Sequence, residues 1–373
     1  MENSKVFFTD LRTVPGNDML TKLERLIRRA GIADIDFEGK FTAIKIHFGE
    51  PGNMAYIRPN YAARVVDVIR SLGGKPFLTD SNTLYTGGRS NAVDHLDAAM
   101  ENGFNRIGAH ADVIIADGLK GTDYKEVPSG GKLCPSPKIG AAIADADIVI
   151  SMNHFKGHEQ AGFGGCIKNI GMGCGSRAGK MQQHQSGHPH VITERCRGCK
   201  RCSKECGSDA FIYENGKARI DPNKCKGCGR CIGACSFDAI ENDNWDAASM
   251  LGRKMAEYTA AVISGRPSFH ISLITDVSPN CDCHGENDAP ILPDIGMLAS
   301  FDPVALDQAC VDLCQKAEPV SNSQLGDNMR SAHFHDHGDV WHNSNPNVSW
   351  AETLEHGEKI GIGTRDYELV IMK

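Results

Sequence analysis

The chain has 373 residues, of which 40% are hydrophobic and 23% charged, a composition that suits a soluble globular protein with room for more than one domain. Its net charge of −7 speaks against a general nucleic-acid binder, and no apolar run approaches the roughly 20 residues that cross a bilayer. The opening apolar stretch, Val6-Phe-Phe, is too short for a signal peptide, so the cytoplasm is the expected compartment, with neither nucleic acid nor membrane as partner.

The first half alternates short apolar runs with amphipathic ones. Lys5–Asp10, Phe41–His47, Lys75–Asp80, Val113–Asp117 and Ile148–Met152 read as strands, and Asn17–Ala30, Asn60–Leu72, Ser90–Asn102 and Ser136–Ala144 as helices. The alternation predicts an α/β fold, a mostly parallel sheet with helices on both faces. Ligands in such folds sit beyond the carboxyl ends of the strands. Polar clusters follow those ends at His47-Phe-Gly-Glu, Asp80-Ser-Asn-Thr and Asn153-His-Phe-Lys-Gly-His. The pattern stops near Thr193 and resumes after Asn244 with a helix over Ala247–Ser264, a strand over Phe269–Val277, a helix over Pro303–Gln315 and a last strand over Tyr367–Met372. Asp302-Pro303 reads as the N-cap and first position of the penultimate element. Ser321–Pro346 is polar, rich in histidine and expected to be loop. Three segments follow: 1–192, the first part of an α/β domain; 193–243, an insert; and 244–373, the second part.

The insert holds eight of the fifteen cysteines, in two copies of one spacing: Cys196-x₂-Cys199-x₂-Cys202-x₃-Cys206 and Cys225-x₂-Cys228-x₂-Cys231-x₃-Cys235. In a reducing compartment such clusters are metal ligands rather than disulfides. Three thiolates on a tight loop hold three corners of a cubane, and the fourth cysteine of each run reaches the other cluster. Cys196, Cys199, Cys202 and Cys235 are therefore expected to hold one [4Fe–4S] cluster, and Cys225, Cys228, Cys231 and Cys206 a second. Gly198 and Gly227 let the backbone wrap closely round sulfur. The bland alternative is a pair of zinc sites. The segment resembles bacterial-type two-cluster ferredoxins. It departs from them in carrying Gly207 and Ser236 where proline often follows the fourth cysteine. Its ten Lys and Arg against eight Asp and Glu from Thr193 to Asp243 leave it slightly basic, which would suit an acidic electron-donor or acceptor protein.

A second dense signal runs from Asn153 to Gly175. Six glycines from Gly162 to Gly175 offer backbone that could approach an anion or cofactor, and His154, Lys156, His158, Lys168 and His184 surround them. Lys156, Asn153, Gly162, Gly164 and Gly165 are the expected ligand contacts. His47, His158, Lys168 and His184 are the expected catalytic groups, because histidine and lysine can be tuned to titrate near neutrality. The bland alternative is a solvated loop. Further on, Cys281 and Cys283 stand two apart and so face one side of an extended chain; with Asp282 or His284 they could bind a further metal.

These blocks together resemble a family of bacterial and archaeal iron–sulfur proteins catalogued as domain of unknown function 362. The resemblance rests on Lys45-Ile-His-Phe-Gly-Glu, Leu78-Thr-Asp-Ser-Asn, the His154–Gly175 block, the cysteine repeat, Cys281-Asp-Cys and the stretch from Asp294 to Asp307. It implies the fold and the clusters, and no reaction. His158-x-x-Ala-Gly-Phe-Gly-Gly, with Lys168 and His184, is also similar to the core of lactate racemase and other nickel-pincer enzymes. That resemblance implies contacts from those three residues to a cleft cofactor; the arginine that precedes the lysine there is Ile167 here. The expected function is an iron–sulfur oxidoreductase that passes electrons to a small ligand in the cleft. The alternatives are a ferredoxin-type electron carrier and a metal- or cofactor-handling protein, the latter suited by the histidines between His333 and His342.

Overall fold

The structure is a computed structural model and describes residues 4–84, 87–184, 189–204, 206, 208–225, 231, 235, 237, 239–242, 247–332, 334–346 and 348–372. Eight strands form its main sheet: β1 (Ser4–Asp10), β2 (Phe41–Lys45), β3 (Lys75–Asp80), β4 (Val113–Ile115), β5 (Ile148–His154), β6 (Ser268–Ile274), β7 (Gly296–Ser300) and β8 (Tyr367–Ile371). Their spatial order is β8-β1-β7-β6-β5-β2-β3-β4. All neighbours pair in parallel except β7, which runs against both β6 and β1. Strands from both sides of the cysteine segment thus share one sheet.

Helices cover both faces. α1 (Met19–Arg29), α2 (Pro59–Ser71) and α3 (Ala92–Glu101) lie on one side, and α4 (Cys166–Cys174), α5 (Arg177–His184), α6 (Ala247–Ile263) and α7 (Pro303–Gln315) follow the rest of the chain order. Leu23, Ile27, Val65 and Ile69 from α1 and α2 pack on Ile44, Ile150, Met152 and Phe269. Ile167, Ile170, Met255, Val304 and Ala309 from α4, α6 and α7 pack on Val149 and Leu298. β5 is buried at all seven positions because its alternate side chains enter these two cores, the usual state of a parallel strand covered on both faces. Capping chemistry fixes helix starts. Asp18 accepts from the Thr21 amide at α1, and Asp302 accepts from the Val304 and Ala305 amides at α7, with Pro303 at the first position.

Three expectations change. Ser136–Ala144 is not a helix: Lys138–Gly140 pairs with Tyr124–Glu126 as a short antiparallel ribbon, and only Ala141–Asp145 is helical. Pro135, Pro137 and Gly140 explain this, since proline removes amide donors and glycine disfavours the helix interior. β7 was not foreseen, because Gly-Met-Leu-Ala-Ser has no β-branched residue and is buried on both faces. Ser321–Pro346 is not all loop: Gln324–Arg330 and Val340–Ser344 are helical, and Trp341 is fully buried against Phe155 and Phe163. Among the described residues no helix is long and apolar enough to cross a membrane.

Candidate functional site

A cavity of about 280 Å³ opens beyond the carboxyl ends of β2, β3, β5 and β6. β2 contributes Lys45 and His47, β3 contributes Asp80 and Arg89 on its following loop, and β5 leads to His154, Lys156 and His158. α4 supplies Lys168 and Asn169, α5 supplies Lys180 and His184, and α6 closes one wall with Leu251 and Met255. Cys283 and His284 arrive on the loop after β6.

The floor is an ionic frame. The Lys45 ammonium sits 3.1 Å from Asp80 and donates to Asn169 at 2.8 Å, and both charged groups are almost fully buried. Arg89 donates to Glu50 at 2.8 Å and approaches Asp80 at 3.5 Å. Burial opposes ionisation of Asp80, but Lys45 and its other cationic neighbours outweigh it and lower the carboxyl. Burial also holds His95, 4.0 Å from Asp80, at about 3, so its imidazole stays neutral. Lys180 differs from the other cations. Its ammonium donates to the carbonyls of Gly175 and Ser81 at 2.8 and 3.3 Å. It has no carboxylate within 4.0 Å among the described residues, and burial lowers it to about 8.

The roof is built by close approach of two loops. Lys156–His158 pairs with Gly162–Gly164 in a hairpin directly after β5. The His158 Nδ1 accepts from the amides of Gln160 and Ala161, both at 3.1 Å, which fixes the turn, and the buried ring also hydrogen-bonds to the Cys281 sulfur. Gly157 donates its amide to the Ser278 carbonyl, and a Cβ there would lie 2.1 Å from the Pro279 carbonyl oxygen. Only glycine lets the segment 278–284 lie this near the hairpin. That proximity brings Lys168 Nζ to 2.6 Å from the Cys281 Sγ. A hydrogen bond from Cys283 lowers the Cys281 thiol well below its usual value; burial opposes this, and Lys168 and Lys156 assist. Asp282 turns the other way, accepting from His154 Nδ1 at 2.8 Å and lying 3.3 Å from Lys156. Ligand atoms of Glu159, Cys283 and His284 all fall within 4.8 Å of one another.

The four groups singled out as catalytic, His47, His158, Lys168 and His184, all line this cavity, as does Lys156. Burial, with Arg89 next in effect, drives His47 well below its usual value. Burial, aided by His158 and Lys168, holds His184 at about 4. Gly162, Gly164 and Gly165 are buried and lie outside the cavity lining. A Cβ on Gly165 would meet Asp307, which accepts from the Cys166 and Ile167 amides at 2.7 and 2.9 Å and so fixes the start of α4. Asn153 is fully buried and bonds to the Ile271 carbonyl and to Asn169. These residues position the walls rather than face the space. Arg89 and Glu159 were not foreseen; each stands in an irregular loop with no periodic signal to mark it.

In the cysteine segment, Cys196, Cys199, Cys202 and Cys235 line one small cavity with Val191, Ala218, Phe237 and Ile240. The Cys196 sulfur accepts from the Gly198 and Ala218 amides, both at 3.4 Å, Cys206 from Ala210 at 3.3 Å and Cys235 from Ala239 at 3.4 Å. Gly198 has φ +64°, and a Cβ there would collide with the Gly216 carbonyl. Gly227 and Cys228 lie outside the described residues. Pro189–Val191 pairs with Ile240–Asn242 at the neck of the segment, so its two ends continue into α5 and α6, the helices that wall the main cavity. His337 meets His335 edge to face and lies tilted near His342, but the three join no metal-ligand cluster among the described residues, and His333 lies outside them.

Fold and site together define an α/β protein with a cation-lined cleft and a cysteine-rich segment that lies in the chain between two helices of that cleft. The chain belongs to the family described as "Domain of unknown function (DUF362)", whose model matches residues 42–312. No curated protein matches it. Among solved structures it is similar to the lactate racemase apoprotein from Thermoanaerobacterium thermosaccharolyticum, at 12% identity and a TM-score of 0.42 over 98% of this chain and 82% of that one. It is also similar to a Thermotoga maritima protein from a structural genomics consortium, at 10% identity and a TM-score of 0.36 over 78% of this chain and 57% of that one.

Proposed function

We propose that this protein is an iron–sulfur oxidoreductase in which two [4Fe–4S] clusters in the insert deliver electrons to a small anionic ligand in the α/β cleft. The observation that carries it is the joint placement of the two sites. Four cysteines surround one apolar cavity, and both ends of that segment run into the helices that wall the cleft.

The residues fit a cluster. Four sulfurs from Cys196, Cys199, Cys202 and Cys235 face a common space, and backbone amides point at three of the cluster cysteines. Such donors stabilise electron-rich sulfur and tune its potential. Cys225, Cys231 and Cys206, with Cys228, would hold the second cluster. Clusters there would supply single electrons, and a pair of them suits a two-electron reduction. An electron-donor protein docking on the insert is the partner this requires.

The cleft supports the ligand's charge. Lys45 and Arg89 are already matched by Asp80 and Glu50, whereas among the described residues the buried Lys180 ammonium donates to backbone carbonyls alone. A bound carboxylate or phosphate would be its counter-ion. Near 8, Lys180 can also exchange a proton at neutral pH.

The test uses the full chain, reconstituted anaerobically with iron and sulfide and reduced. Electron paramagnetic resonance should show reduced cubanes, and the signal should decay on mixing with a small 2-oxo acid from a panel. Protein that folds with zinc in place of iron, or whose reduced clusters no anion in the panel reoxidises, would overturn the reading.

A further inference from the structure

We infer that Glu159, Cys283 and His284 form a mononuclear site for a divalent transition-metal ion, zinc in the first instance, with an open position toward the cleft. The three residues come from two separate loops, the hairpin turn after β5 and the segment after β6, that Gly157 holds in contact. Their ligand atoms lie within 4.8 Å of one another. Glu159 Oε1 and His284 Nε2 are 3.3 Å apart. That is long for a charge-assisted hydrogen bond, which runs about 2.7–2.9 Å. It equals the edge of a tetrahedron whose bonds are about 2.0 Å, the usual length for zinc to nitrogen and oxygen.

Charge supports the assignment. A divalent ion would balance the Glu159 carboxylate and the Cys283 thiolate, with His284 neutral. Cys283 otherwise hydrogen-bonds to Cys281; on giving up its proton to the ion it would leave Cys281 with the Lys168 ammonium at 2.6 Å, while Asp282 is held by His154 and Lys156. One sulfur, one imidazole and one carboxylate form a borderline donor set that suits zinc or ferrous iron better than calcium or magnesium. All three residues line the main cavity. Three protein ligands with a fourth position open is the pattern of a catalytic rather than a structural site. The ligand for that position is an anionic oxygen donor, which Lys156 and Lys168 on the same wall would steer.

This site requires nothing of the clusters, so the two readings fail separately. Cluster-loaded full-length protein is equilibrated with zinc, dialysed, and examined by zinc-edge X-ray absorption. The expected result is one retained zinc per chain with a single sulfur among nitrogen and oxygen neighbours. Glu159→Gln, Cys283→Ser and His284→Gln should each weaken retention at least tenfold while the iron content and its spectrum stay unchanged. A four-sulfur shell would place the zinc in the insert. A two-sulfur shell would mean that Cys281 leaves Lys168 to bind it. Either shell, no retained zinc, or retention indifferent to all three variants would overturn the assignment.

Discussion

His270 offers a sharp test of how dry the core under the cleft is. It lies on β6, fully buried, with Nδ1 2.9 Å from the Ser151 hydroxyl and Nε2 without a hydrogen-bond partner among the described residues. Burial holds it at about 3. An unfolded chain protonates histidine near 6.5. Between these values the unfolded state binds a proton that the folded state refuses, so stability is fully present above about pH 6.5 and falls as pH drops toward about 3. Lowering the pH from about 7.5 to about 5 should therefore cost about 2 kcal/mol through this one residue. His270→Asn keeps a polar atom near the Ser151 hydroxyl and removes the titration. The assay is denaturant unfolding of wild type and variant at both pH values. Losses common to the two proteins, including any from other buried histidines, cancel in the comparison. Wild type should lose about 2 kcal/mol more than the variant over this range. Parallel pH dependence in the two proteins would refute a neutral, dry His270.

Other predictions follow from single contacts. Asp307→Ala strips the acceptor from two buried amides at the start of α4 and should cost about 2–4 kcal/mol in denaturant unfolding, with Asp307→Asn recovering part of it. Lys45→Met removes the nearest cation from Asp80, leaving Arg89 at 3.5 Å and the Ser81 amide, and should cost about 3 kcal/mol, read from the unfolding midpoint. Cys199→Ala should halve the iron bound per reconstituted chain without unfolding the α/β sheet, as checked by metal analysis and circular dichroism. Binding of oxalate near pH 8 should be coupled to proton uptake, because a counter-ion raises Lys180 from about 8; calorimetry in buffers of different ionisation enthalpy reads this, and Lys180→Met should abolish it.

Much of the fold is legible in the sequence because burial imposes periods. β3 and α7 fall at their expected bounds, and β1, β2 and β5 shift only by one or two residues at an end. β7 escaped because both its faces are buried and its residues are small or unbranched, which erases alternation. The cleft was legible where histidine and lysine follow strand ends, as with His47 and His158. It was not legible where function depends on two loops meeting. The period-two argument places Cys281 and Cys283 on one side of the chain. It cannot show that Gly157 brings that segment against the hairpin, so Glu159 stayed unmarked. Glycine marks close approach in a core as well as to a ligand, and at Gly165 the neighbour is Asp307.

The most direct test of electron delivery from insert to cleft is a single-turnover comparison of wild type with Lys180→Met. Both proteins are reconstituted, reduced, freed of reductant and mixed anaerobically with the 2-oxo acid that reoxidises wild type, and cluster oxidation is followed by electron paramagnetic resonance. The account predicts oxidation at least tenfold slower in the variant, with unchanged cluster content and unchanged oxidation by ferricyanide, which takes electrons at the surface. Equal rates with the 2-oxo acid in the two proteins would mean that electrons leave the insert without passing through the cleft, and would contradict it.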